Sequence, residues 1–258
     1  MQTPVINIFE KAARKAGKVL IRDFGEIENL QIQSKSLGDF VTNADLKVEE
    51  ILIETLKYYY PSSSFITEES GRIKGNEETI VIDPIDGTTN FIHGIPHVAI
   101  VIGKISEKQI TDGIIYNPIL NDFYWASKGS GAWCNNKRLR VSKREEFSSC
   151  VIGTGIPFGN SINENSLKEI KSISKASAGI RRMGSAAIDL AYVASGKFDG
   201  FWEKDMEIWD IGVGALLVNE AGGKVTEPSG QKWSINSKDI LASNALIHPI
   251  LEEKLTLL

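Results

Sequence analysis

Asp83-Pro84-Ile85-Asp86-Gly87-Thr88-Thr89-Asn90 follows directly on Thr79-Ile80-Val81-Ile82, a short β-branched run bounded by polar residues. The run reads as a buried strand, and strand ends are where α/β folds place their sites. At this end stand two carboxylates, a proline, a glycine and two hydroxyls. Asp83 and Asp86 straddle a turn stiffened by Pro84, so both can face one point. Gly87 lacks a Cβ and lets a ligand approach the backbone. The amides of Gly87, Thr88 and Thr89 are then donors for an anion. Carboxylates beside an anion repel it, and a divalent cation between them resolves the conflict. The stretch predicts a metal-assisted phosphate site. A bare Asp-Pro-x-Asp-Gly is also an ordinary turn, because Asp, Pro and Gly are the usual turn residues.

Composition narrows the chemistry. The 258 residues suit one large domain or two small ones in close contact. Hydrophobic content of 42% and charged content of 24% are those of a globular protein, and a net charge of −4 gives no support to a nucleic-acid-binding surface. No apolar run of about 18 residues predicts a membrane span. The segment Met1–Lys15 does not have the pattern of a secretory signal. Cys134 and Cys150 are not spaced as a zinc or redox pair, and a reduced cytoplasm fits. His93, His97 and His248 are too few for a histidine-rich centre. Any metal should be hard and oxygen-bound, Mg²⁺ or Mn²⁺ in its place.

Outward from the central stretch, Thr3-Pro4 opens an amphipathic helix through Phe24. A polar stretch, Gln31 to Gly38, follows. Thr42-Asn43-Ala44-Asp45 resembles a capping box and starts a second helix to Tyr59. Phe65-Ile66 is a short strand stopping at Glu68-Glu69-Ser70, and Gly71 to Glu78 reads as a surface loop. Beyond the central stretch His97–Ile105, Gln109–Tyr116 and Phe123–Ala126 read as strands. Lys128 to Asn136 is glycine-rich but lacks the order of a phosphate loop, and reads as a hairpin turn. Then come a strand (Cys150–Gly155), a helix (Asn163–Lys175), a strand (Ile180–Met183) and a helix (Ser185–Ala194). A strand (Asp199–Glu203), a nearly apolar helix (Ile208–Ala221), a strand (Leu241–Ser243) and a closing helix (His248–Leu255) complete the chain. Helices and strands interleave without strict βαβ order, which predicts a layered α/β sandwich.

A hard-cation site needs more acid than two aspartates. Glu68 and Glu69 end one strand as Asp83 ends another; if the strands are neighbours, one glutamate reaches the same point. Asp210 enters an otherwise apolar helix, where it is either a cap or a ligand. A covalent aspartyl phosphatase would need aspartates two apart rather than three, and no G-x-S-x-G elbow occurs. Direct attack by metal-activated water remains.

These motifs resemble those of the inositol monophosphatase family. Val81 to His93 fits its first signature, Glu68-Glu69-Ser70 the upstream glutamate motif, Gly38 to Asp45 the N-terminal motif, and Trp209-Asp210 with Glu220-Ala221-Gly222-Gly223 the C-terminal one. Arg181 to Ala187 looks most like the bacterial inositol-1-monophosphatase branch. Order and spacing hold over nearly the whole chain. Two places depart from the pattern: Ile211-Gly212-Val213 after Asp210, and Glu207-Ile208 where bacterial relatives often have a basic residue and then proline.

The resemblance implies one domain over residues 1–258, folded as an αβαβα sandwich of the inositol monophosphatase/fructose-1,6-bisphosphatase type and commonly a homodimer. It implies that Glu68, Asp83 and the Ile85 carbonyl hold one Mg²⁺, that Asp83, Asp86 and Asp210 hold a second, and that a weaker third is possible. Thr88, oriented by Asp45, and Glu68 would position the attacking water. The amides of Gly87 and Thr88 would bind phosphate. Gly184, Ser185, Ala186 and Glu203 would line a sugar-alcohol pocket, with Asp86 and Asp210 near the substrate. His93 would serve structure or the rim. The implied reaction is Mg²⁺-dependent, lithium-sensitive hydrolysis of myo-inositol 1-phosphate or a similar polyol phosphate. The alternatives are 3′-phosphoadenosine 5′-phosphate, fructose 1,6-bisphosphate or histidinol phosphate as substrate, or a bacterial regulatory protein acting with the transcription machinery.

Overall fold

The computed structural model describes residues 2–24, 32–36, 39–156 and 164–256, with backbone alone for 32–36 and 39–41. Gln31, Gly38 and Asn163, named above, lie outside the described residues. Thr3 caps α1 (Pro4–Asp23) by accepting from the Ile6 amide, and Ile6, Phe9, Ala13, Ala16 and Leu20 form its buried stripe. The polar stretch that follows is paired: β1 (Ile32–Ser36) lies antiparallel to β2 (Asp39–Thr42). A two-stranded ribbon is held by backbone bonds, so no apolar run announces it. Thr42 then caps α2 (Asn43–Tyr59) in the expected box with Asp45.

β3 (Ser64–Thr67) pairs antiparallel with β4 (Gly71–Ile73) and parallel with β5 (Thr79–Asp86). The segment expected to be a loop from Gly71 thus begins as an edge strand three residues long. After β5 come α3 (Thr88–Ile92) and a meander of β6 (Ala99–Ser106), β7 (Gln109–Asn117), β8 (Asp122–Ser127), β9 (Gly131–Cys134) and β10 (Lys137–Arg138). These build an eight-stranded sheet in the order β10-β9-β8-β7-β6-β5-β3-β4. The glycine-rich stretch is the β8–β9 hairpin, as its sequence predicts.

The rest of the chain supplies β11 (Val151–Thr154), α4 (Glu164–Ala176), β12 (Gly179–Arg181), α5 (Ala186–Ala194), β13 (Gly200–Glu203), α6 (Ile208–Glu220), β14 (Lys224–Thr226), β15 (Ile240–Ser243) and α7 (His248–Thr256). Its sheet has the order β12-β11-β13-β15-β14. β14, not foreseen, is a short edge strand that pairs with β15.

Side-chain alternation along the strands fixes the layers. On β5 and β6, Ile80, Ile82, Ile100 and Ile102 pack with α1 and α2, while Val81, Ala99 and Val101 pack with α5 and α6. On β13 and β15, Phe201, Ile240 and Ala242 join α5 and α6, while Trp202 and Leu241 join Ile173 of α4 and Leu251 of α7. The layering is therefore helix, sheet, helix, sheet, helix, the mixed α/β sandwich expected. α6 is nearly apolar because it lies between two sheets. It comes close: a Cβ on Gly113 would stand 2.6 Å from Val213 Cγ1, and one on Gly214 would stand 2.4 Å from Leu190 Cδ1. Extra methyl groups there would force shifts costing about 1–3 kcal/mol each. Gly212, the departure noted above, has Ile208 Cδ1 at 2.8 Å from a Cβ placed on it. Among the described residues no helix is long and apolar enough to cross a membrane, and both cysteines are free.

One correction bears on the site. The central strand does not end before Asp83; β5 runs through Pro84 to Asp86. Asp83 faces Val101 and Asp86 faces Ala99 across the ladder, with a register shift between them. Three steps on β5 thus match two on β6. This bulge accommodates the missing N–H of Pro84. It has a further effect, because residues three apart on a regular strand point to opposite faces. The extra residue brings Asp83 and Asp86 to the same face.

Candidate active site

The parallel pairing of β3 with β5 ends at Thr67 opposite Ile82, so Glu68 leaves the sheet beside Asp83. Asp83 is 2% exposed, and its Oδ1 is buried with no hydrogen-bond partner. Burial pushes its carboxyl well above the usual range, and the charges of Glu68, Asp86, Asp210 and Asp45 push it further. Glu69 acts instead on Asp45, so Glu68 is the glutamate of the pair that faces Asp83. Asp210, in the first turn of α6, accepts from the Glu207 amide at 2.7 Å. Burial and then the charge of Asp86 hold its carboxyl well above the ordinary value. The atypical Glu207 thus supplies the helix-capping residue before Asp210. The structure brings Glu68 at the end of β3, Asp83 and Asp86 of β5 and Asp210 of α6 into one electrostatic cluster.

Asp86 has fixed neighbours. Its Oδ2 accepts from Ser185 Oγ at 2.5 Å and from the Ala187 amide at 2.8 Å. Burial raises its pKa to about 6, and those two bonds hold it from rising further. Ser185 also caps α5, and Ala186 is that helix's first residue, so both sit directly over Asp86. Gly184 before them has φ +85°. Glu203 ends β13 close enough to Asp86 and Asp189 for their charges to act on it; burial first, and those charges next, raise its pKa to about 8.

Thr88 opens α3. Its hydroxyl lies 3.1 Å from Asp45 Oδ1 and 3.0 Å from the Ile85 carbonyl, so its one proton serves either acceptor. Asp45 is fully buried in the first turn of α2, bonded to the Thr42 amide at 2.8 Å and the Thr42 hydroxyl at 2.6 Å. Burial lifts its pKa to about 6, opposed by those bonds. Gly87 turns left-handed at φ +94°, and a Cβ there would stand 2.9 Å from the His97 carbonyl. Only glycine fits that turn without displacing the neighbouring chain.

Three partners of the site were not foreseen. Asn90 Nδ2 donates to the carbonyls of His97 (2.9 Å) and Met183 (2.8 Å), tying the turn after β5 to the loop before α5. His97 Nε2 lies 2.9 Å from Asp189 Oδ1 in a buried pair. Glu49 of α2 binds the backbone of the Glu68-Glu69-Ser70 turn. Of these only Glu49 had a signal: a carboxylate one turn beyond Asp45 in a buried helical stripe. His93 is exposed at the end of α3, in keeping with a rim position.

The donor set suits a hard divalent cation. Among the described residues no three His, Cys, Asp or Glu side chains converge, as they stand, tightly enough to enclose an ion. The fit rests instead on the orphaned Asp83 Oδ1 and on buried carboxylates that repel one another. Buried charges persist when paired or coordinating metal, and only oxygen donors are present here.

Known proteins resemble the chain over nearly its whole length. The model of the inositol monophosphatase family matches residues 1–256. An inositol-1-monophosphatase of Caulobacter vibrioides is 45% identical over 251 residues, covering 95% of this chain and 98% of that protein. A putative Nus factor SuhB of Neisseria meningitidis is 43% identical, covering 93% and 94%. The crystal structure of the extragenic suppressor protein suhB from Bartonella henselae superposes with a TM-score of 0.95 at 44% identity, over 98% of this chain and 99% of that one. The whole-chain match, the layered fold and the carboxylate cluster agree: the chain belongs to the inositol monophosphatase family, a family of phosphatases.

Proposed function

We propose that the protein is a Mg²⁺-dependent phosphomonoesterase acting on myo-inositol 1-phosphate or a similar polyol phosphate. The observation that carries this reading is Asp83 Oδ1, buried without a partner among Glu68, Asp86 and Asp210. A bound divalent cation stabilises such a group in its charged form. Glu68, Asp83 and the Ile85 carbonyl would hold one ion and Asp83, Asp86 and Asp210 another, with Mn²⁺ an acceptable substitute and a third ion near Glu68. Bound divalent ions lower the pKa of water and stabilise a leaving alkoxide.

The chain's own groups account for the remaining work. Thr88, with its proton held toward Asp45, turns an oxygen lone pair outward to accept from the attacking water. Glu68 receives a proton from that water. The amides of Gly87 and Thr88 hold the phosphate at the left-handed turn. Ser185 and Ala187 fix Asp86, and Glu203, with Gly184, Ser185 and Ala186, faces the hydroxyls of the alcohol. A carboxyl with a pKa of about 8 can donate to or accept from a hydroxyl, which suits Glu203 to a polyol. We read residues 1–258 as one domain, working as a homodimer in the cytoplasm.

Phosphate release from myo-inositol 1-phosphate, with Mg²⁺ titrated and Li⁺ added, tests the reading. Wild type should show Mg²⁺-dependent, Li⁺-sensitive release, and Asp83→Asn should lose about 10³-fold or more. Much faster cleavage of a nucleotide or sugar bisphosphate would replace the substrate while keeping the chemistry. A second reading, a regulatory protein of the transcription machinery, is supported by relatives named as Nus factors. Arg181 and Arg182 are exposed. Full phosphatase activity with no transcription protein recovered in a pull-down would remove it.

A further inference from the structure

α2 carries two buried carboxylates one turn apart, Asp45 and Glu49, on the stripe that includes Ala44, Val48, Leu52 and Leu56. Glu49 is 2% exposed. Its Oε2 accepts from the Glu69 amide and its Oε1 from the Ser70 amide, each at 2.9 Å. Burying a carboxylate is costly unless its oxygens are bonded, and here both are. The two bonds fall on consecutive peptide groups. The Glu69 N–H belongs to the peptide that leaves Glu68, and the Ser70 N–H to the next one. Because each peptide is planar, holding both planes restricts ψ of Glu68 and both dihedrals of Glu69. On the other side of the turn, Thr67 Oγ1 donates to the Gly71 carbonyl at 3.2 Å.

We propose that Glu49 is a positioning residue for the active site, setting where Glu68 stands relative to Asp83 by gripping the turn from α2. The same helix holds Thr88 through Asp45, so α2 sets the spacing between the water-positioning hydroxyl and the ion-facing glutamate. Glu49 acts through Glu68, and its effect falls first on divalent-cation affinity. The inference rests on the reading of Glu68 and Asp83 as cation ligands given above.

The test is Glu49→Gln in the full chain. A carboxamide has one acceptor oxygen and turns its NH₂ toward the other amide, so at most one of the two bonds survives. Three readouts are needed: hydrogen exchange at the Glu69 and Ser70 amides without metal, Mg²⁺ affinity by calorimetry, and the melting temperature. The expected result is faster exchange confined to the turn, together with Mg²⁺ affinity lower by about 10–100-fold, the usual effect of removing a partner that orients a ligand. Activity should recover in part at high Mg²⁺. Glu50→Gln, on the exposed face, should leave all three readouts at the wild-type value. Faster exchange with unchanged Mg²⁺ affinity would overturn the proposal and leave Glu49 as a brace for the turn alone. If Glu49→Gln does not fold, Glu49→Asp, shorter by one methylene, is measured in its place against the same criteria. A wild type that binds no Mg²⁺ would remove the proposed function; a wild type that binds it no better than the variant would remove this inference alone.

Discussion

Thr88 Oγ1 lies 3.1 Å from Asp45 Oδ1, joining the start of α3 to the first turn of α2 across 43 residues of chain. When the Thr88 proton goes to Asp45 rather than to the Ile85 carbonyl, the bond sets which way the Thr88 lone pairs point, and it is one of the bonds that hold down the pKa of the buried Asp45. Thr88→Val keeps the shape and removes the hydroxyl. It should lower kcat by about 10²–10⁴-fold, the range for a lost proton-handling group, with KM changed much less. Thr88→Ser, which keeps the hydroxyl, should retain most of the activity. Steady-state kinetics of the two variants decide the matter; equal losses would show that the methyl group matters instead.

Asp83 should show opposite signs for activity and stability. Its charge is buried among like charges, with one oxygen unbonded, so the metal-free fold carries a cost that Asp83→Asn removes. The metal-free variant should melt higher than metal-free wild type. Added Mg²⁺ should stabilise wild type by mass action and leave the variant nearly unmoved. Calorimetric melts with chelator and with Mg²⁺ provide the comparison. A variant that melts lower without metal would contradict the account of this site.

Gly155 makes room for Glu203. A Cβ on Gly155 would stand 1.5 Å from Glu203 Oε1 and 2.0 Å from its Cδ, so Gly155→Ala must displace the carboxyl. Raised KM with kcat nearly unchanged is expected for the polyol phosphate. Glu203→Gln should raise KM too, and the double variant should be less than additive because both act through one carboxyl. Simple additivity would separate Gly155 from Glu203.

His248 makes stability depend on pH far from the site. It is fully buried, with Nδ1 at 2.8 Å from Ser243 Oγ and Nε2 at 3.0 Å from Thr226 Oγ1. Glu252 is 4.0 Å from Nε2 and Lys224 repels a positive ring; burial dominates and holds the pKa down at about 4. In the unfolded chain the ring titrates near about 6.5, so the unfolded state takes the proton first as pH falls. The folded-state pKa is the lower one. The stabilisation is therefore complete above about pH 6.5 and is lost toward about pH 4, amounting to about 3 kcal/mol. Urea midpoints for wild type and His248→Gln should diverge least at the acid end of that window. Parallel curves would mean that His248 does not titrate differently on folding.

Much of the site was legible in the chain because its parts are local. Asp83 to Asn90 is one continuous stretch, and the Thr42–Asp45 box and the cap at Ser185 depend on residues a few positions apart. The apolar α6 announced its place between layers. Edge strands β4 and β14 were not legible, since three-residue strands carry no periodicity to read.

By itself the sequence determined the alternation of apolar faces, the helix caps and the inventory of oxygen donors, because these depend on neighbours within one turn or one strand. Tertiary structure alone decided which donors meet. The β5 bulge turned Asp83 and Asp86 to one face, and parallel pairing with β3 set Glu68 rather than Glu69 beside them. The grip of Glu49 on the turn and the His97–Asp189 pair span 20 and 92 residues. Contacts over such separations follow from strand register and layer packing, which the whole chain fixes together and no single stretch encodes.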